Sequence, residues 1–93
     1  MSKIVRKQVA ERMSRIVVHN DTVYLCGQVG EPGTPIKEQA AEMLSRVDTL
    51  LKEAKSSREH LLSATVYLSD IRYFEAFNEV WDAWVVPGHP PAR

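Results

Sequence analysis

The triplet Cys26-Gly27-Gln28, which follows Thr22-Val23-Tyr24-Leu25, holds the single thiol of the 93-residue chain and is the first place where the sequence offers chemistry. β-branched and aromatic residues read as a strand, and a glycine at its end lets the backbone come close to a ligand. Alternation sets Val23, Leu25 and Gly27 on one face and Tyr24, Cys26 and Gln28 on the other. Thiol and amide therefore share a face that can wall a small-molecule site. Strand amides beyond Cys26 can hold negative charge or a water, and an arginine brought alongside can grip a carboxylate through paired N–H donors. The alternative for Cys26 is a small packed hydrophobe, the usual state of a free cysteine. Asn78, beside Phe77 in an aromatic stripe, is either a pocket amide or a solvated helix residue. His19 has no partner at metal-ligand spacing, and the sequence contains no placeable Ser-His-Asp set, phosphate-cradling glycine loop or metal constellation.

The elements that must position these groups follow from the pattern. Residues 15–19 and 22–28 form a hairpin about Asn20-Asp21, two residues that tolerate left-handed backbone angles. Ile4-Val5 offers a short strand before it. Residues 30–35 carry two glycines and two prolines and form a loop. Thr34 is then the N-cap and Pro35 the first position of a helix running to about Lys55. Its apolar face is Ile36, Ala40, Met43, Val47, Leu50 and Ala54, widened by Leu44 and Leu51, while Glu42, Arg46 and Asp48 fall on the solvated side. After the polar connector Ser56-Ser57-Arg58-Glu59-His60 comes a strand over 61–68, with Leu62, Ala64, Val66 and Leu68 on one side and the mixed set Leu61, Ser63, Thr65 and Tyr67 on the other. Ser69-Asp70 caps a second helix whose stripe, Phe74, Phe77, Trp81 and Trp84, reads chiefly as core. Three prolines and a glycine in the tail end that helix and lead to Arg93.

Strand hairpin, helix, strand, helix is an α+β arrangement, with both helices on one face of a mixed sheet and a parallel relation between the strands that the first helix joins. The other face, with Tyr24, Cys26, Ser63, Thr65 and Tyr67, stays bare and predicts a homo-oligomer. Length and an ordinary 44% hydrophobic share predict one domain. Twelve basic and twelve acidic side chains cancel, which does not favour nucleic acid or an anionic membrane. With no signal peptide or membrane-spanning run, the expectation is a cytoplasmic protein. A lone cysteine excludes internal disulfides and CxxC sites.

Leu25-Cys26-Gly27-Gln28-Val29, the strand Ser63-Ala64-Thr65-Val66-Tyr67-Leu68-Ser69-Asp70, the helix Phe74-Glu-Ala-Phe-Asn78-Glu-Val-Trp81 and the ending Pro90-Pro91-Ala92-Arg93 together resemble the RidA/YjgF/UK114 family of reactive-intermediate deaminases. The likeness runs from about Ser14 to Arg93. It implies a chorismate-mutase-like α+β fold, a homotrimer with ligand clefts between subunits, and hydrolysis of 2-imino and enamine acids to 2-oxo acids and ammonia without metal or organic cofactor. By the same resemblance Arg93 grips the substrate carboxylate and Cys26 stands where the best-known deaminases carry serine. Gly27 offers backbone, Asn78 lines the cleft region, and water attacks the imine carbon. Met13 falls where those enzymes place a tyrosine. Family chains also continue past Pro-Ala-Arg into two further strands, the last of which inserts among the others and supplies an acidic residue credited with handling the water. The expectation is therefore one RidA-like domain over 1–93 without those strands, and an enzyme if the full-length protein carries them. The resemblance leaves a non-enzymatic small-molecule-binding or chaperone-like trimer as the alternative, with RNA cleavage as a third reading.

Overall fold

The computed structural model describes residues 3–93. Three antiparallel strands, β1 (Val5–Val9), β2 (Ser14–His19) and β3 (Thr22–Leu25), form a sheet in the order β1-β2-β3. Asn20 and Asp21 both take positive φ, 50° and 64°, as a two-residue hairpin requires, and they set His19 opposite Thr22 and Ile16 opposite Leu25. The hairpin is as expected, and β1 extends it beyond Ile4-Val5. Regular pairing in β3 stops at Leu25, although Cys26 still donates its N–H to the Arg15 carbonyl at 3.0 Å.

Helix α1 (Ile36–Glu53) buries Ala40, Leu44, Leu50 and Leu51, four of the residues assigned to its apolar face. Its start differs from expectation. Pro35 occupies the N-cap, and the Thr34 hydroxyl donates to the Glu31 carbonyl at 2.8 Å, closing the loop instead of capping the helix. Asp70 accepts from the Arg72 N–H at 2.9 Å, as a cap should, but what it caps first is a short 3₁₀ turn (Ile71–Tyr73) that runs into α2 (Phe74–Trp84). The side chain and backbone of Arg72 hydrogen-bond the Asp70 carboxylate and hold its pKa below the ordinary value.

The core lies between the helices. Ala40 and Leu44 of α1 meet Phe77 and Trp81 of α2, and Ala64, Val66 and Leu68 pack against them from the segment after α1. That segment alternates as predicted, with Thr65 exposed and Tyr67 90% exposed, except that Leu62 also faces out. It does not join the sheet as a strand. Its regular pairing is confined to a parallel bridge from Ser63 to Ala92, with Ala92 N–H donating to Leu62 and Ala64 N–H to Ala92. The expected parallel pairing with β3 is not formed: a space of about 1240 Å³, lined by the apolar face of α1, separates β3 from residues 61–68. Among the described residues, no helix is long and apolar enough to cross a membrane.

Gly30 marks where the loop rests on α1. A Cβ there would lie 2.4 Å from the Gln39 carbonyl oxygen and 2.6 Å from its Cα, both backbone atoms that move only with the helix. Gly30→Ala is expected to cost about 2 kcal/mol by overpacking and to lower Tm by about 10 °C in a thermal melt. Gly27→Ala, whose Cβ would meet nothing within 4 Å, should leave Tm within about 2 °C of the parent.

Candidate ligand-binding site

Two places carry the predicted site residues. The first is the end of β3, where Cys26 and Gly27 line the cleft with Gln28. Cys26 is half-buried, its backbone is fixed across the strand pair by Arg15, and the Gln28 side-chain amide donates to the Cys26 Sγ at 3.1 Å and to its carbonyl at 3.4 Å. Gln28 therefore orients the thiol. Gly27 is exposed, so its backbone is open to approach.

The second place is the aromatic face of α2. The Arg93 guanidinium stands 5.2 Å from the centre of the Trp81 ring and 6.0 Å from those of Phe74 and Phe77, within the range at which a cation is drawn to a π face. Phe77 and Trp81 are buried, whereas Phe74 is 43% exposed. The tail holds this position because Ala92 is hydrogen-bonded on both sides to residues 62 and 64. Among the described residues Arg93 makes no ion pair, in contrast to Arg46, Arg58 and Arg72. A guanidinium held by rings and not by a carboxylate keeps N–H donors that a planar carboxylate can take in pairs.

Asn78 lies on the same side of α2, one turn from both Phe74 and Trp81. Its Oδ1 is buried and accepts no hydrogen bond among the described residues, although buried acceptors are nearly always satisfied. Met13, on the turn between β1 and β2, is exposed.

Within one chain the two places are separate. Cys26 and Gly27 line the cleft and Arg93 and Asn78 do not, while Phe77 and Trp81 belong to both the cleft wall and the Arg93 platform. The sequence reading missed this platform because aromatic residues at helical spacing signal packing first; the arginine at the end of the proline-rich tail was the only hint. It also missed a cluster built on Asp48, which had been placed on the solvated side of α1. The Arg58 Nε and Nη2 each donate to the Asp48 carboxylate at 2.8 Å, Arg58 Nη1 donates to the Trp84 carbonyl at 3.0 Å, and Trp84 Nε1 donates to Asp48 at 3.1 Å. The hydrogen bonds to Asp48 push the Arg58 pKa further up.

An α+β unit with a thiol-bearing strand end on a cleft and a ring-stacked arginine on its second helix is the class that these features define. Comparison with known proteins makes it specific. Residues 4–93 match the family described as Endoribonuclease L-PSP, and the chain belongs to that family. It is 40% identical over 90 residues to the RutC family protein YoaB of Escherichia coli (strain K12), covering 97% of this chain and 79% of that one. A RutC family protein of Haemophilus ducreyi is 32% identical over 91 residues, covering 97% and 78%. Among solved structures, a YjgF family member from Neisseria meningitidis superposes with a TM-score of 0.94 at 38% identity, covering 98% of this chain and 76% of that chain. An uncharacterized protein from Pseudomonas aeruginosa gives 0.92 at 34% identity, covering 98% and 80%. The RidA/YjgF resemblance and the fold class are thereby borne out.

Proposed function

We propose that this protein hydrolyses reactive 2-imino acids, and their enamine tautomers, to 2-oxo acids and ammonia. The observation that carries the reading is the Arg93 guanidinium, seated over the Trp81 ring and without an acidic partner among the described residues. Arg93 binds the substrate carboxylate through two edge N–H donors. The adjacent imine carbon takes a water: its C–O bond forms as the C=N π pair moves to nitrogen, and the nitrogen accepts a proton. The resulting carbinolamine then breaks its C–N bond as the hydroxyl becomes a carbonyl, and ammonia leaves. Holding the acid in one orientation toward water supplies much of the rate. The Asn78 Oδ1, a buried acceptor without a donor, suits the substrate N–H.

Arg93 and Cys26 act together in this reading only if the site is completed between copies, with Cys26 and Gly27 from one subunit facing Arg93 of the next. The exposed sheet and segment face bearing Tyr24, Thr65 and Tyr67 supports such an assembly, a homotrimer. The test generates a 2-imino acid in situ with an amino-acid-dehydrating lyase and traps it with semicarbazide. Trapped product should fall in proportion to added protein, while 2-oxo acid forms faster. Trapping yields indifferent to the protein would overturn the reading; protection against unfolding by a 2-oxo acid with no turnover would leave a binding protein instead.

RNA cleavage, the activity in the family's description, is the second reading. Arg12 and Arg15 are exposed near the β1–β2 turn and could meet phosphates, but the chain as a whole carries no net charge. RNA binding at low salt that weakens steeply as salt rises would favour it.

A further inference from the structure

We propose that Asp48, Arg58 and Trp84 form a clamp that positions Arg93; its consequence for substrate rests on the carboxylate-binding reading above, its existence on geometry alone. Asp48 lies in the fourth turn of α1, Arg58 in the connector after it, and Trp84 ends α2. The Arg58 fork closes on the Asp48 carboxylate with both distances at 2.8 Å, its third donor meets the Trp84 carbonyl, and the Trp84 indole N–H returns to Asp48 at 3.1 Å. A carbonyl at a helix end has no partner inside the helix, so this contact also satisfies the C-terminus of α2 with a cation. The Trp84 ring is thus held by its N–H at the edge and by the Arg58 guanidinium over its face, 5.1 Å from the ring centre.

What Trp84 holds in turn is Trp81. The two indoles lie 5.4 Å apart, tilted by 45°, and Arg93 stands 5.2 Å from the Trp81 ring. The order Arg58, Trp84, Trp81, Arg93 is a continuous run of contacts with a fixed cation at one end and an open one at the other. The Arg93 tail also leaves α2 immediately after Trp84, whose carbonyl Arg58 grips. Loosening the clamp therefore relaxes one side of the platform under Arg93 and the origin of its tail, while the core contacts of Trp81 and the Ala92 hydrogen bonds stay. Asp48 and Arg58 are positioning residues in this scheme.

The test compares Asp48→Asn, which removes the anion at nearly constant shape, with Arg58→Lys, which keeps the charge but loses the fork. The first readout needs no ligand: NMR shifts of the Arg93 side-chain protons, displaced by the ring currents of Trp81 and the phenylalanines. In both variants they should move toward the positions of an unstacked arginine. The second is titration with pyruvate, a simple 2-oxo acid. Its Kd should rise about fivefold in Asp48→Asn, an effect of the size that such networks transmit, with no further rise when the substitution is added to Arg93→Ala. Unmoved Arg93 shifts would overturn the clamp, and so would an Asp48→Asn effect that persists in the Arg93→Ala background. A parent protein that takes no pyruvate would overturn the carboxylate reading, leaving the NMR shifts to decide the clamp. Should Asp48→Asn lose its dispersed spectrum, Trp84→Phe, which keeps a ring but removes the indole donor, is read by the same shifts.

Discussion

Arg93→Ala is expected to lower kcat/KM for a 2-imino acid by about 100-fold while Tm moves by no more than about 2 °C. Two hydrogen bonds from a charged donor pair to a carboxylate contribute about 3 kcal/mol together, which converts to about that factor in rate. The stability side follows from exposure. Arg93 is an exposed side chain resting on rings that are buried by other contacts, and surface substitutions of this kind usually stay within about 0.5 kcal/mol. Arg93→Lys should recover only part of the loss, since an ammonium offers a point charge and no planar fork. Turnover measured by semicarbazide competition, alongside thermal melts, reads both quantities. An unchanged rate in Arg93→Ala would remove the residue from the site, whereas a rate loss matched by a collapse in Tm would show that the tail supports the fold instead.

How far the sequence could reveal this depended on the range of each interaction. The β2–β3 hairpin was legible because Asn20-Asp21 states its own turn geometry and alternation then sets the register. The α1 face was legible for the same local reason. Thr34 was misread because Ser and Thr hydroxyls can accept from a helix amide or donate to a preceding carbonyl, and here Glu31 received the bond. The faces of residues 61–68 could be read from alternation, but their pairing could not, since it depends on where another backbone runs: Ala92 came alongside and β3 did not. Asp48 was assigned to solvent because its partners lie 10 and 36 positions away, beyond any periodic pattern. Arg93 shows the limit most clearly. Only the family resemblance, and not its type or position, suggested a carboxylate ligand, and its place over Trp81 follows from a tail docked at Leu62 and Ala64.

Trp81 should give the largest stability effect in the chain, and its variants separate its two roles. It is 7% exposed, packs against Phe77 and Trp84, and belongs to the cluster that joins α1 to α2. Truncating a buried Trp to alanine typically costs about 3–5 kcal/mol. Small domains sit near the low end of the roughly 5–15 kcal/mol that keeps proteins folded. Trp81→Ala should therefore lower Tm by about 20 °C or leave the chain unfolded at room temperature, as circular dichroism would show. Trp81→Phe retains an aromatic face but less volume and a weaker pull on the guanidinium, so it should stay folded with Tm lower by about 8 °C. Because Arg93 loses its best ring in that variant, 2-oxo acid affinity should also fall, by about threefold for a loss of about 0.7 kcal/mol of cation–π attraction. A folded Trp81→Phe protein with parental affinity would show that Phe74 and Phe77 alone are enough to seat Arg93, and that Trp81 serves the core without serving the ligand.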